Sequence, residues 1–174
     1  MMNLIVTCAR HLEGETGDEL VDILDELGDS DVKISVSSMS GIITAQTKLD
    51  PIEVVKKMRE MLLDEPWSIR YCLRVIPVQK VVETNIEEIE KIISNISNQI
   101  EEKETYRILI EKRNSDISSK EIITKIANRI KNKVSLDFPD KVILIEILGI
   151  VTGISILKNS DILSLEKTKR SMSD

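Results

Sequence analysis

Apolar positions along this chain keep two rhythms, every second residue and every third or fourth, and the switches between them mark out elements. NLIVTC reads as a strand, and GDELVDILDELG as a helix with Leu20, Leu24 and Leu27 on one face and Gly28 as its stop. VKISVSS alternates Val32, Ile34 and Val36, and GIITAQT pairs with it after a turn at Ser40-Gly41. Asp50 caps and Pro51 starts a second helix, whose buried stripe is Val54, Val55, Met58, Met61 and Leu62. After Pro66, SIRYCLRVIPV alternates Ile69, Tyr71, Leu73 and Val75 against Arg70, Cys72 and Arg74, which predicts a long strand.

Strand-helix-strand-strand-helix-strand is the order of a ferredoxin-like unit, so the first half is expected to be α+β. The second half opens on a helix, IEEIEKIISNISNQIEEK, with Ile86, Ile89, Ile93, Ile96 and Ile100 at three- and four-residue intervals. TYRILIEKR is a strand with Tyr106, Ile108 and Ile110 on one side and Arg107 and Glu111 on the other. Ser118 and Glu121 have capping-box spacing, and Ile122, Ile126, Ala127 and Ile130 predict the core face of the helix that follows. Lys125, Arg129 and Lys133 recur every fourth residue and predict one exposed edge. VSL, a DFPD turn, VILIEIL and IVTGISILK complete the strands, and EKTKRSMSD reads as an unfolded or partner-dependent tail. No Gly-, Ser- or Pro-rich linker separates the halves; the boundary falls between Pro77 and Thr84.

With 41% hydrophobic and 31% charged residues the chain has a folded composition, but aromatics are only 2%, so Ile, Leu, Val and Met must fill the core. Cys8 and Cys72 lie in apolar runs and read as buried thiols. No apolar run approaches the ~20 residues of a membrane span and no leader opens the chain, so a soluble cytoplasmic protein without a membrane partner is expected.

The net charge of -6 speaks against nucleic acid only as an average. Residues 1–102 carry 10 basic against 20 acidic side chains, and residues 103–174 carry 14 against 10. Within 107–133 the ratio is eight to three: Arg107, Lys112, Arg113, Lys120, Lys125, Arg129, Lys131 and Lys133 form a basic band suited to phosphates and to RNA recognised by shape. Ser118 caps the next helix, and with Ser119 and the free N–H groups it also offers a place for a phosphate. The acidic helix from Asp18 to Leu27 is a solvated face or a surface for a basic partner protein.

Enzyme templates find little here. His11 is the only histidine, and there is no Gly-rich phosphate loop, dinucleotide fingerprint or nucleophile elbow. Two cysteines and one histidine do not assemble a four-ligand zinc site, so no catalytic residue, metal or cofactor is expected.

The second half resembles a THUMP domain, an RNA-binding module of tRNA-modifying enzymes. The resemblance rests on ILIEKR ending in Lys112 and Arg113, on the Ser-led helix SSKEIITKIANRI, and on VSLDFPDKVILIEI. In that last segment Val134, Leu136, Pro139, Asp140, Glu146 and Ile147 match the family pattern, while Ser135 stands for its usual Asp and Phe138 for its Asn. The first half, with NLIVTCARHLEGETGDELVDIL and RVIPVQKVVETNIEEI, resembles the ferredoxin-like domain that accompanies such modules. The resemblance implies an N-terminal ferredoxin-like domain over 1–79 followed by a THUMP α/β domain over 80–174.

It further implies a tRNA-binding protein that grips the acceptor end. Lys112 and Arg113 would take phosphates, Ser119 and Lys120 would anchor at the helix start, and Arg107, Lys125, Arg129 and Lys133 would extend the track. Most such modules share a chain with a catalytic domain, for which this length leaves no room. The expectation is therefore a non-catalytic adaptor presenting tRNA to a separate tRNA cytidine N4-acetyltransferase. The alternative is the RNA-binding subunit of a split thiouridine-forming or methylating enzyme.

Overall fold

The elements of the computed structural model, which describes residues 1–173, run in the order β1 (Leu4–Thr7), α1 (Glu13–Leu27), β2 (Lys33–Val36), β3 (Ile42–Gln46), α2 (Pro51–Asp64) and β4 (Arg74–Pro77). They continue with β5 (Lys80–Glu83), α3 (Ile86–Ile96), β6 (Tyr106–Arg113), α4 (Ser119–Arg129), β7 (Lys141–Leu148), β8 (Val151–Leu157), β9 (Leu163–Ser164) and α5 (Leu165–Ser171). The chain divides into two units: Met1–Val78 together with the segment from Ser160 onward, and Gln79–Asn159.

In the first unit the sheet runs β2-β3-β1-β4-β9 with every pair antiparallel. Two β-α-β connections interleave so that β1 and β3 lie side by side in the middle, an arrangement consistent with a ferredoxin-like part. The helices follow their local signals. The Asp50 side chain accepts the Ile52 N–H at 3.0 Å ahead of Pro51, and Gly28, at φ 116°, closes α1 in the left-handed region. Leu20, Ile23 and Leu24 of α1 and Val54, Val55, Met58 and Leu62 of α2 pack with Leu4, Val6, Ile43, Ala45 and Val75 of the sheet. Gly41 turns β2 into β3 at φ +77°, and a Cβ there would stand 3.0 Å from the Cys8 carbonyl. Cys8 and Cys72 are free, buried thiols.

Two expectations fail in this unit. The alternation over 69–73 is not a strand; β4 begins only at Arg74. Its cause lies on α1, where the Glu19 carboxylate accepts the backbone N–H groups of Arg70, Tyr71 and Cys72 at 2.8–3.0 Å. Donors spent on a carboxylate cannot enter a ladder, so the chain turns there. The tail is ordered through its described residues. Leu163 pairs with Val75 and is fully buried, Leu165 is 5% exposed, and the Ser164 side chain accepts the Lys167 N–H to start α5. Asp174 lies outside the described residues.

The second unit is a sheet of order β5-β8-β7-β6, in which only β6 and β7 run parallel. A parallel pair needs a crossover, and α4 supplies it. Strand β5, which the sequence reading merged into the domain boundary, pairs with β8. One face of the sheet packs under α3 and α4 in a core of twelve isoleucines and Tyr106, which is how a chain so poor in aromatics fills its interior. Residues 142–148 of β7 are all buried, as suits a strand without a solvent-facing side. Ala127 is exposed, against expectation, because Ile122, Ile126 and Ile130 suffice to cover the core face of α4.

Candidate nucleic-acid interface

Strand β6 carries the basic band, and its parallel neighbour β7 fixes where each cation goes. Lys112 and Arg113 sit at its C-terminal end, register-paired with Ile147 and Leu148. Arg113 reaches back to Glu146 on β7, its Nη1 3.2 Å from Oε2 of a carboxylate only 1% exposed. The Arg113 carbonyl accepts the Gly149 N–H at 2.8 Å, which ties the β7–β8 turn to the end of β6. Asn114 then takes φ 54°, a left-handed conformation that turns the chain toward α4.

The connecting loop is closed by its own side chains. Lys112 Nζ donates to the Ile117 carbonyl at 2.8 Å, and Ser115 Oγ accepts the Ile117 N–H at 3.2 Å. Ser118 Oγ accepts the Glu121 N–H at 3.1 Å, so the expected cap is formed. Ser119, half-buried, and Lys120, exposed, follow in the first turn. Lys112 thus stands beside the start of α4, where the helix dipole favours anions and Ser119 and Lys120 lie in the first turn, whereas Arg113, one residue on, faces the other side of the sheet toward Glu146.

The rest of the band lies elsewhere. Arg107 stands five residues before Lys112, about 17 Å along an extended strand, with its Nη1 3.3 Å from the Leu136 carbonyl. Lys133 is near Arg107, because its carbonyl accepts the Tyr106 N–H at 3.0 Å. It is exposed but not on the helix: α4 ends at Arg129, so the expected edge of three cations stops at two. Those two, Lys125 and Arg129, turn toward α3, where Glu90 lies 3.9 Å from Lys125 Nζ and 2.5 Å from Arg129 Nε. Glu90 has no signature in the sequence; it sits among Glu87 and Glu88 and 39 residues from its partner.

Past α4, Val134 and Phe138 are 55% and 88% exposed, yet the backbone between them is fixed. The Ser135 N–H donates to the Tyr106 carbonyl at 3.0 Å, Ser135 Oγ accepts the Phe138 N–H at 3.2 Å, and the Asp140 carboxylate accepts from both the N–H and the hydroxyl of Thr105. Those Thr105 bonds hold the Asp140 carboxyl below its usual range. The first unit carries an acidic surface on α1. Glu15, Asp18, Asp22, Glu26 and Asp64 line a groove of about 680 Å³ between α1 and α2, which repels phosphate. His11 stands in a loop at φ 71°, and among the described residues no three His, Cys, Asp or Glu side chains group to hold a metal ion. No helix among them is long and apolar enough to cross a membrane.

Comparison with curated protein sequences gives no match. Among solved structures, PH1313 from Pyrococcus horikoshii Ot3 superposes with a TM-score of 0.68 at 19% identity, over 91% of this chain and 55% of that one. TrmN from Thermus thermophilus gives 0.60 at 13%, over 90% and 45%. A 4-thiouridine synthetase, solved as an RNA complex with bound ATP, gives 0.51 at 12%, over 91% and 42%. The chain spans about half the length of these structures, and at such identities they establish shared fold. A family model matches residues 83–157, from the end of β5 to the end of β8. That segment of the chain is a THUMP domain.

Proposed function

We propose that this chain is a non-catalytic tRNA-binding adaptor that grips the acceptor end and presents the tRNA to a separate tRNA cytidine N4-acetyltransferase. The THUMP domain over 83–157 carries the reading, and the free N–H groups at the start of α4 beside Lys112 support it, since a helix start favours a phosphate. Lys112, Arg113, Ser119 and Lys120 form the anchoring group, Arg107 with Lys133 meets the backbone further along, and Lys125 and Arg129 extend the track on the face toward α3. The first unit acts as a ferredoxin-like spacer whose acidic groove stays clear of RNA, and the work is done in the cytoplasm.

A second reading is favoured by the thiouridine synthetase among the structural neighbours. On it the chain is the RNA-binding subunit of a split thiolating or methylating enzyme. Mapping modified nucleosides in tRNA from cells lacking the protein separates the two. Loss of acetylcytidine alone supports the adaptor; loss of thiouridine or of a methylated base supports the split enzyme; an unchanged profile overturns both.

A further inference from the structure

The groove between α3 and α4, about 220 Å³, has Ile93, Ile126 and Ile130 beneath it and Glu90, Ser94 and Arg129 around it. Glu90 is the one carboxylate among these lining residues, 18% exposed, and it faces two cations. On a surface proposed to meet RNA, an acidic residue in that place should be a hindrance. Its geometry says otherwise. Glu90 engages Arg129 through Nε, and among the described residues the two Nη groups, the fork that grips a phosphate, keep their donors. An arginine side chain otherwise has many rotamers to lose on binding, and a carboxylate on Nε removes much of that loss beforehand. Lys125 Nζ, at 3.9 Å from the same carboxylate, stands outside the groove's lining and gives Glu90 a second positive neighbour. The Ser94 hydroxyl is buried beside it with no hydrogen-bond partner among the described residues, and supplies a spare donor.

We infer that Glu90 is a positioning residue for RNA: it fixes Arg129 so that the guanidinium presents its Nη fork to a backbone phosphate at the α3–α4 groove, with Lys125 beside it. The inference rests on the tRNA-binding reading and assigns a subsite within it. It predicts a sign opposite to simple electrostatics, under which removing a negative charge from an RNA-binding face strengthens binding.

The test is fluorescence anisotropy with labelled bulk tRNA at fixed salt, on the full chain. Glu90→Ala is expected to weaken binding about fivefold, the effect of freeing one long side chain. Glu90→Gln keeps an acceptor for Nε while removing the charge, and is expected to bind at least as tightly as the parent. In an Arg129→Ala background, Glu90→Ala is expected to have no further effect. Parental or tighter binding by Glu90→Ala overturns the inference, as does a loss that persists without Arg129 or that Glu90→Gln reproduces. Thermal melts of Glu90→Gln and Arg129→Ala keep the comparison free of unfolding. Failure of the parent chain to bind tRNA overturns the underlying reading instead, so the two failures are distinguishable.

Discussion

The Glu19 carboxylate meets Cys72 twice: its Oε1 accepts the Cys72 backbone N–H at 3.0 Å, and the same group acts on the thiol. Burial first, then the Glu19 charge, pushes the Cys72 thiol well above its ordinary range. Replacing Glu19 with Gln removes the charge and turns an amide N–H₂ toward donors that need an acceptor. We expect a loss of about 2 kcal/mol in stability, with faster labelling of Cys72 by a disulfide reagent at pH 8. In a Cys8→Ser background, a labelling rate equal to that of the parent would contradict this account.

Asp29, 2% exposed, is the polar pin of the first unit. It accepts the Thr47 hydroxyl at 2.6 Å and the N–H groups of Asp31 and Lys48 at 2.9 and 3.0 Å, and the Thr47 bond leads in lowering its pKa. A carboxyl depressed on folding stabilises fully above its unfolded value near ~3.9, and the contribution disappears as pH falls through the lower folded value. Urea unfolding from pH 7 to pH 2 should show this acid limb. Asp29→Asn is expected to be less stable at neutral pH by about 2 kcal/mol and to lose stability less steeply on acidification.

Arg113 and Lys120, both in the proposed anchoring group, differ in how much of the fold depends on them. Arg113→Ala leaves the buried Glu146 without this guanidinium and is expected to cost about 3 kcal/mol by chemical denaturation. Lys120 is exposed, and Lys120→Glu should leave stability within about 0.5 kcal/mol of the parent. On the proposed function, Lys120→Glu nevertheless weakens tRNA binding and makes its salt dependence shallower. Unchanged salt dependence would remove Lys120 from the interface.

Ending the chain at Asn159 removes Leu163 and Leu165 from the first unit's core and uncovers the edge of β4. The expected loss is about 4 kcal/mol, read as faster amide exchange in β4 and α2. Exchange in β4 as slow as in the full chain would show that the tail adds little.

What the sequence revealed depended on how local the deciding contact was. The cap at Asp50, the stop at Gly28 and the start at Ser118 involve residues within a few positions of one another, and each was legible. The break before β4 was not, because the carboxylate that captures its donors stands 51 to 53 residues upstream. Strand β9 and helix α5 were hidden for a similar reason: their apolar signal is two leucines, and the strand that β9 joins ends at Pro77. The basic band was visible as composition, but its split between the two ends of β6 and the face toward Glu90 follows from strand length and helix ending. Spacing alone could not say that Lys112 closes a loop or that Arg113 pairs with a buried glutamate.

The return of β9 to the edge of β4 also sets an order of events during synthesis. Residues 79–159 emerge from the ribosome after most of the first unit and before its last strand. The isoleucine core of the second unit, complete by Ile156, can therefore close while the first sheet still lacks Leu163. The first unit is thus discontinuous in the chain, and its last strand is the last piece to become available to it, whatever the second unit has done by then.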